Sequence, residues 1–246
     1  MRILIIGFNA MLGKDLPQEW SEDEVIPATS RDADIHDCGQ VRQLVTQVHP
    51  DWIVLTAAYT DVDGSEQNSE LASVNGERMK NVACVAQEDG AKVFYVSRDY
   101  LFDGNHPIEP ERPIAPLNVY GRSEAAGEKA IQENHSAWCI ARTSWLFGAP
   151  GAFPREDLTR FGDTSGIDRG GGSIRFTDLH PRSCRRDPRP GPYGWARDLR
   201  VTNTGFCSWF EFARFACCQL PRLKQGAQPG VPPIRSFRRR APMFMT

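Results

Sequence analysis

Residues 3–13 read Ile-Leu-Ile-Ile-Gly-Phe-Asn-Ala-Met-Leu-Gly, a short apolar run that ends at a glycine. Such a run, bounded by Gly7, predicts a strand buried in a parallel sheet. Gly7 and Gly13 predict a tight turn into a helix, where the backbone can approach a pyrophosphate at the helix N-terminus. Ala10 replaces the usual middle glycine, so a strand-to-helix turn without a ligand is the alternative.

The pattern beyond residue 13 alternates between short apolar runs and longer stretches with helical spacing. Strands are predicted at 25–28, 52–56 and 92–97, and helices at 41–48, 71–87 and 117–131. This alternation predicts an α/β fold, a Rossmann-type doubly wound parallel sheet. Ligands bind such sheets at the carboxyl ends of strands, so residues 56–59 and 97–99 are expected beside the Gly7 turn.

Arg31 follows the second predicted strand and stands next to Thr29 and Ser30. An arginine beside small hydroxyls at this place suits the 2′-phosphate of an adenosine ribose, which would favour NADP over NAD. The alternative is an ordinary solvated arginine in a loop, and the sequence leaves both interpretations open.

Charge and composition exclude several classes of protein. The chain carries 29 Lys and Arg against 31 Asp and Glu, which gives no basic field for nonspecific nucleic-acid binding. Its apolar runs have the length of strands, which argues against a membrane span, and Met1 leads directly into the first strand without room for a signal peptide. The seven cysteines include no C-x-x-C pair and the five histidines have no ligand spacing. We therefore expect a cytoplasmic protein with free thiols and no metal site.

Tyr120 opens the helix predicted from residue 117, and position 124 lies on the same helical face. A tyrosine followed four residues later by lysine is the arrangement of a reductase, in which the tyrosine protonates a carbonyl oxygen as hydride arrives. The lysine lowers the pKa of that tyrosine and holds the cofactor ribose. In this chain position 124 is Glu.

These motifs together resemble the dTDP-4-dehydrorhamnose reductase family, a branch of the extended short-chain dehydrogenases/reductases. The resemblance implies reduction of dTDP-4-dehydro-6-deoxy-L-mannose to dTDP-L-rhamnose with NADPH or NADH, a step in nucleotide-sugar and polysaccharide biosynthesis, and a possible homodimer. The matching stretches run in family order: Gly7 to Gly13, Asp34-Ile35, Thr56 to Thr60 with Val62-Asp63, Val74-Asn75, Ser97 with Asp99 to Gly104, Pro116 to Ser123, and Arg142 to Trp145.

The resemblance also assigns roles to residues. Tyr120 takes the place of the catalytic acid, and Asp99 and Trp145 fall at the sugar-nucleotide site. The cofactor contacts of the family fall on Gly7, Met11, Leu12, Gly13, Asp34, Ile35, Ala57, Ala58 and Tyr59.

Two catalytic positions depart from the family. Arg98 stands where the family has a Ser or Thr that hydrogen-bonds the substrate carbonyl, and Glu124 stands in place of the lysine. A unit charge at about 4 Å is worth about 4 kcal/mol at an effective dielectric near 20, or roughly three pKa units, so Glu124 should make Tyr120 a poor acid. Lys129 lies on the opposite helical face and cannot substitute. Three roles are open for Arg98: it supplies positive charge to the carbonyl oxygen, it pairs with Glu124, or it lies in solvent.

Residues 151–200 interrupt the family pattern. Ile, Leu and Val number 13 in residues 1–50 but 5 in residues 151–200, where Arg, Gly and Pro make up 23 of 50 residues. Such a block cannot bury a large core. Codons can be chosen for residues 169–190 so that the reading frame shifted by one base encodes VVADQSVSPTYTRDLAVAILA. This shifted sequence resembles the family throughout. We interpret the block as the product of compensating frame changes near 149–155 and 191–200; a natural Arg/Gly/Pro-rich insertion is the alternative.

The sequence therefore predicts a NAD(P)-binding Rossmann domain at 1–150 and a smaller, disrupted substrate-binding region at 151–246. In that region 151–200 is frame-shifted, 201–214 is family-like and 221–246 is a solvated Pro/Arg-rich tail. Three functions remain open: a reductase of impaired activity, a non-catalytic NAD(P)-binding or regulatory homologue, and the inactive product of a damaged gene.

Overall fold

A six-stranded parallel sheet organises the chain in the computed structural model, which describes residues 1–57, 61–103, 113–143 and 197–201. The sheet order is β2-β1-β3-β4-β5-β6, and every neighbouring pair is parallel. The predicted Rossmann-type sheet is confirmed. Its strands are β1 (Arg2–Ile6), β2 (Glu24–Ala28), β3 (Trp52–Leu55), β4 (Lys92–Arg98), β5 (Trp138–Thr143) and β6 (Arg197–Val201).

Helices connect these strands, and several of them begin at polar caps. The Asp37 side chain accepts from the amides of Gly39 and Gln40, and the Asn118 side chain accepts from the amide of Gly121. None of the described helices is long and apolar enough to cross a membrane. The helices are α1 (Met11–Glu19), α2 (Cys38–Val48), α3 (Val62–Gln67), α4 (Ser69–Asp89) and α5 (Val119–Asn134), with a 3-10 turn at Asp99–Leu101.

Two apolar layers cover the two faces of the sheet. On one face, side chains such as Leu4 and Ile53 pack against α2, α4 and α5. On the other face, Leu16 of α1 and Trp20, the residue that follows this helix, pack against Ile3 and neighbouring strand residues. Because both faces are covered, the central strands are continuous apolar runs rather than alternating ones.

The order of the strands reverses at β1, which lies between β2 and β3. The amides of Gly7 and Phe8 donate to the carbonyl of Ala28 at the end of β2. The amides of Thr56 and Ala57 donate to the carbonyl of Ile6. The turn after β1 is therefore held from both sides, at the switch point where doubly wound sheets bind ligands.

The sixth strand comes from beyond residue 150, where the sequence analysis ends the dinucleotide-binding domain. β6 pairs with β5 in parallel, with Cys139 opposite Arg197 and Thr143 opposite Val201. The Arg142 guanidinium lies 3.3 Å from the Asp198 carboxylate, so the two strands are also joined by charge.

Candidate active site

Gly7 forms the turn between β1 and α1 with φ of +95°, a conformation that favours glycine. A Cβ at Gly7 would collide with the backbone nitrogen of Ala57, and a Cβ at Gly13 would lie 2.7 Å from the Gly7 carbonyl oxygen. The N-cap Ala10 makes no side-chain cap, and the first turn of α1 contains no acidic residue. The helix amides and dipole at this end therefore suit an anion. The Leu12 side chain lies in the core, so only its backbone can serve a ligand here.

Gly7→Ala is expected to lower the unfolding free energy more than Gly90→Ala does. Gly90 also has a positive φ, of +83°, but a Cβ there would meet nothing within 4 Å. Both changes incur the left-handed backbone cost of about 1–2 kcal/mol, and Gly7→Ala adds a steric cost of about 1–3 kcal/mol. Urea unfolding of both variants measures the difference. Equal losses would mean that the approach of Gly7 to Ala57 is not tight.

The loop after β2 is shaped by hydrogen bonds to its own side chains. The Asp32 carboxylate accepts from the Thr29 amide and hydroxyl, both at 2.8 Å, and the Thr29 hydroxyl accepts from the Arg31 amide at 3.2 Å. Hydrogen bonds from Thr29 lower the pKa of Asp32. The Asp32 carboxylate is engaged in hydrogen bonds within the loop. The Arg31 side chain is exposed, so its positive charge can contact a ligand.

Asp34 and Ile35 lie just before α2 and are tied to α4. The Asp34 carboxylate accepts from the His36 amide at 3.0 Å and lies 2.6 Å from His36 Nδ1. Arg78 Nε donates to His36 Nε2 at 2.6 Å, which places the ring proton on Nδ1, facing Asp34. Asn81 donates to the Ile35 carbonyl at 3.1 Å. Hydrogen bonds from His36 lower the pKa of Asp34, so this carboxylate is an acceptor at neutral pH.

Tyr120 is buried in the first turn of α5 and lies against the end of β4. Its ring makes an edge-to-face contact with Tyr100, with centroids 5.3 Å apart. A Cβ at Gly121 would collide with the Tyr100 carbonyl oxygen, so the start of α5 packs directly on the 99–101 turn. The position of Tyr120 is therefore fixed by backbone contact as well as by its ring.

Glu124 is fully buried one turn after Tyr120. Its Oε2 accepts from the Tyr95 hydroxyl at 2.7 Å, and among the described residues its Oε1 has no hydrogen-bond partner. Burial raises the pKa of Glu124, while the charge of Arg98 and hydrogen bonds from Tyr95 and Tyr120 oppose the rise. Lys129 is exposed and lies 3.7 Å from Glu133, away from Tyr120, as the helical spacing predicts.

Arg98 ends β4 as a half-buried side chain. Burial lowers the pKa of Arg98, but the acidic groups of Tyr120, Glu124 and Asp99 raise it overall. Burial and the charge of Glu124 raise the pKa of Tyr120, and Arg98 lowers it. Arg98 is therefore not fully solvated, and the negative charge of Glu124 acts on Tyr120 in the direction that raises its pKa.

Several buried polar atoms at this end of the sheet have no hydrogen-bond partner among the described residues. They are Ser97 Oγ, Asp99 Oδ2, Glu124 Oε1 and Thr143 Oγ1. Each such atom costs about 1–3 kcal/mol when unsatisfied, so a group of them in one place indicates a ligand site. Sequence analysis missed Thr143, which carries no signal except its position at a strand end, and Tyr95, which faces α5 from inside β4.

Asp99 gives the site a measurable pH dependence. Burial raises its pKa from 3.8 to about 7. Between pH 3.8 and about pH 7, Asp99 keeps its proton in the folded chain but has lost it in the unfolded chain, so the unfolding free energy falls as pH rises. We expect Asp99→Asn to remove about 2 kcal/mol of that fall between pH 5 and pH 7. Urea unfolding at several pH values measures it, and Glu77→Gln, on the exposed face of α4, is the control. An unchanged pH slope in Asp99→Asn would contradict the assignment.

The remaining predicted residues lie partly outside the described ranges. Ala58, Tyr59 and Trp145 lie outside them, and Met11 is described only as the first residue of α1. Ala57 is placed beside Gly7. In the part of the chain that the structure describes, no three His, Cys, Asp or Glu side chains come together as a metal site requires.

Comparison with known proteins adds a family match to this geometry. Residues 1–159 match the family model described as the RmlD substrate binding domain. A dTDP-4-dehydrorhamnose reductase of Burkholderia thailandensis is 30% identical over 87% of this chain and 76% of its own length. The enzyme of that name from Escherichia coli K12 is 35% identical over the same shares of the two chains.

Solved structures resemble the chain over a similar range. The dTDP-4-dehydrorhamnose reductase of Bacillus anthracis, in complex with NADP, superposes with a TM-score of 0.75 and 35% identity, covering 88% of this chain and 80% of that one. A Clostridium acetobutylicum structure of the same description gives a TM-score of 0.75 at 28% identity, over 89% and 80%.

Proposed function

The chain belongs to the RmlD substrate binding domain family. We propose that it is a reductase of a dTDP-linked 4-keto sugar, dTDP-4-dehydro-6-deoxy-L-mannose. The observation that carries the proposal is the position of Tyr120, beside unpartnered buried polar atoms at the carboxyl ends of β4 and β5. The relatives from Burkholderia thailandensis and Escherichia coli, both named dTDP-4-dehydrorhamnose reductases, support the substrate.

The residues of the Gly7 turn fit a nicotinamide dinucleotide. The uncapped N-terminus of α1 suits the pyrophosphate. Arg31 suits the 2′-phosphate, and the ionised Asp34 can accept a hydrogen bond from the adenine amino group. The NADP in the Bacillus anthracis structure supports NADPH, with NADH as the other nicotinamide to test. When bound, the reduced nicotinamide supplies the hydride of the reaction.

Tyr120 supplies the proton of the same reaction. Its hydroxyl transfers a proton to the keto oxygen of the sugar as carbon 4 of the sugar receives the hydride. Asp99 stands beside this position, and its Oδ2, which has no hydrogen-bond partner in the described ranges, can meet a hydroxyl of the sugar. The charge of Glu124 opposes formation of the Tyr120 phenolate, so we expect turnover to be strongly reduced.

A second candidate is a nucleotide-binding protein without turnover. The observation that favours it is Glu124, a buried carboxylate where the reductase resemblance implies a lysine. Such a protein would keep the dinucleotide site at Gly7 and lose only the proton donor. A damaged-gene product would lose both.

Titration with NADPH, together with a coupled assay for reduction of the dTDP-sugar, separates these functions. Binding together with turnover that Tyr120→Phe abolishes supports the reductase. Binding without turnover supports the non-catalytic protein and overturns the reductase. Failure to bind NADPH overturns both and leaves the damaged-gene product.

We also propose that the frame changes account for residues 151–200. The family model matches residues 1–159, and a strand paired with β5 begins at Arg197, which supports a disturbed segment between these two points. In this proposal residues 1–150, with β6 added to their sheet, form the dinucleotide-binding domain, and the rest of 151–246 forms the disrupted substrate-binding region. Resequencing the gene tests this, and an uninterrupted codon alignment with the family would contradict it.

A cytoplasmic location and a homodimer complete the proposal. Cys38 and Cys84 are free thiols, which supports a reducing compartment. Cell fractionation tests the location, and light scattering of the purified protein tests the assembly. A secreted or monomeric protein would contradict the respective part.

A further inference from the structure

A short segment after β2 carries Asp34 and His36 on either side of Ile35. The Ile35 side chain packs against the core layer to which α2 and α4 contribute, while Asp34 and His36 are exposed. The Asp34 carbonyl accepts from the Asp37 amide, so the segment turns directly into α2. The two polar side chains therefore leave a fixed backbone and stand at the surface, where a ligand can contact them.

Two residues of α4, Arg78 and Asn81, hold this segment. They are three positions apart and so lie on the same face of the helix. The Asn81 side-chain amide donates to the carbonyls of Ile35 and His36, at 3.1 and 3.0 Å, which fixes the backbone. Arg78 Nε donates to His36 Nε2 at 2.6 Å, which fixes the ring. α4 thus controls both the backbone and the ring of His36.

The His36 ring passes this constraint on to Asp34. Because Nε2 accepts from Arg78, the ring proton lies on Nδ1, 2.6 Å from Asp34 Oδ1. The His36 amide donates to the same oxygen at 3.0 Å. Both contacts involve Oδ1, so they restrict rotation of the carboxylate and leave its second oxygen, Oδ2, to accept from a ligand.

The chemistry of that ligand follows from the place of Asp34 beside the dinucleotide site. The end of β2 is joined to the turn after β1 by hydrogen bonds from Gly7 and Phe8 to the Ala28 carbonyl. With the pyrophosphate at α1 and the ribose phosphate at Arg31, the base of the dinucleotide extends beyond the loop after β2. An ionised carboxylate only accepts hydrogen bonds, so Oδ2 suits a base that offers an N–H donor.

We propose that His36 and Arg78 are positioning residues that act through Asp34 and make the site selective for a dinucleotide whose base has an amino group at carbon 6. The inference rests on the proposed NAD(P)H binding and adds the residues that set its selectivity. Arg78 donates to the ring and the ring donates to Asp34, so each bond strengthens the next. The carboxylate is oriented before the base arrives, so binding loses less side-chain freedom.

The test compares two dinucleotides by calorimetric titration. One is NADPH, and the other is its hypoxanthine counterpart, in which an oxygen replaces the amino group at carbon 6 of the base. The unmodified chain should bind NADPH at least about tenfold more tightly, because the counterpart loses a hydrogen bond to a charged group and turns an acceptor towards the carboxylate. Binding of both with equal affinity overturns the proposal and leaves the proposed dinucleotide site in place.

His36→Ala should weaken NADPH binding about three- to tenfold and leave binding of the hypoxanthine counterpart almost unchanged. His36→Asn, whose side-chain amide can donate to Asp34 in place of Nδ1, should retain more of the preference. Arg78→Met should lose part of it. If His36 only kept the segment folded, His36→Ala would weaken both dinucleotides equally; that result, or an unchanged preference, overturns the proposal.

His49→Asn is the matched control for these substitutions. His49 Nδ1 also lies near an aspartate, 3.3 Å from Asp89 Oδ1, but His49 ends α2 just before β3 begins, at the opposite edge of the sheet from Gly7. Its φ of +46° is one that asparagine tolerates. The preference for NADPH should therefore stay as in the unmodified chain. A loss as large as that of His36→Ala overturns the assignment to His36.

A second measurement needs no dinucleotide. In ¹⁵N NMR at neutral pH, the His36 ring, assigned by its loss in His36→Ala, should carry its proton on Nδ1. A proton on Nε2 overturns the proposal, since Arg78 could not donate there. A chain that binds neither dinucleotide overturns the proposed function together with this inference, whereas a chain that binds with the expected preference but does not turn over loses the reductase function only.

Discussion

Replacing Arg142 by methionine is expected to lower the unfolding free energy by about 3–5 kcal/mol, because it leaves a buried carboxylate without its cation. Arg142 Nε donates to Glu128 Oε1 at 3.0 Å, and its terminal nitrogen donates to Oε2 at 2.7 Å. The Glu128 side chain is 1% exposed, so water cannot replace the lost donor. The same guanidinium contacts Asp198 and lies over the Phe102 ring, 5.8 Å from its centroid. Urea unfolding measures the loss.

Arg42→Met is the matched control for this experiment. Arg42 also binds a glutamate with two nitrogens, at 3.1 and 2.8 Å to Glu88 Oε2. The side chains of that pair are 50% and 57% exposed, so its contribution should stay below about 1 kcal/mol. Similar losses from the two substitutions would mean that burial does not decide the strength of the Arg142 pair.

Turnover of the dTDP-sugar is expected to rise about a thousandfold or more only when the catalytic positions and the reading frame are restored together. The restored chain carries Arg98→Thr and Glu124→Lys, and its coding frame is corrected between residues 149–155 and 191–200. The two substitutions return a lysine to the Tyr120 face and a hydroxyl to the carbonyl site. The corrected frame returns the substrate-binding segment. Single-turnover assays with NADPH measure the gain.

Two partial chains are the controls for the restored chain. Arg98→Thr with Glu124→Lys alone should stay at background, since on the proposed frame changes the substrate-binding segment is still missing from this chain. The corrected frame alone should also stay low, because Glu124 still disfavours the Tyr120 phenolate. Recovery by the two substitutions alone would show that residues 151–200 are not needed for the reaction.

The first strand and its glycine turn could be predicted because local sequence determines them. A strand covered on both faces must be apolar throughout, and Gly7 adopts a backbone conformation that other residues avoid. The pairing of Tyr120 with position 124 followed from helical spacing alone. In each case the controlling contacts lie within a few residues of one another in the chain.

The missed elements depend on contacts between distant residues. β6 contains two arginines and an aspartate among its five residues, so its sequence alone does not read as a buried strand. It forms a strand because β5 offers an edge to pair with and because Arg142 contacts Asp198. The bond from Tyr95 to Glu124 likewise joins a strand and a helix 29 positions apart in the chain.

The pairing of β5 with β6 has a consequence for how this chain can change over time. The two strands are parallel, so the residues between them leave from the carboxyl end of β5 and return at the amino end of β6. Both anchor points are set by sheet register and by the contact of Arg142 with Asp198. Since loop-closure cost rises only slowly with length, we expect the register of β5 and β6 to tolerate changes in the length of the chain that connects them.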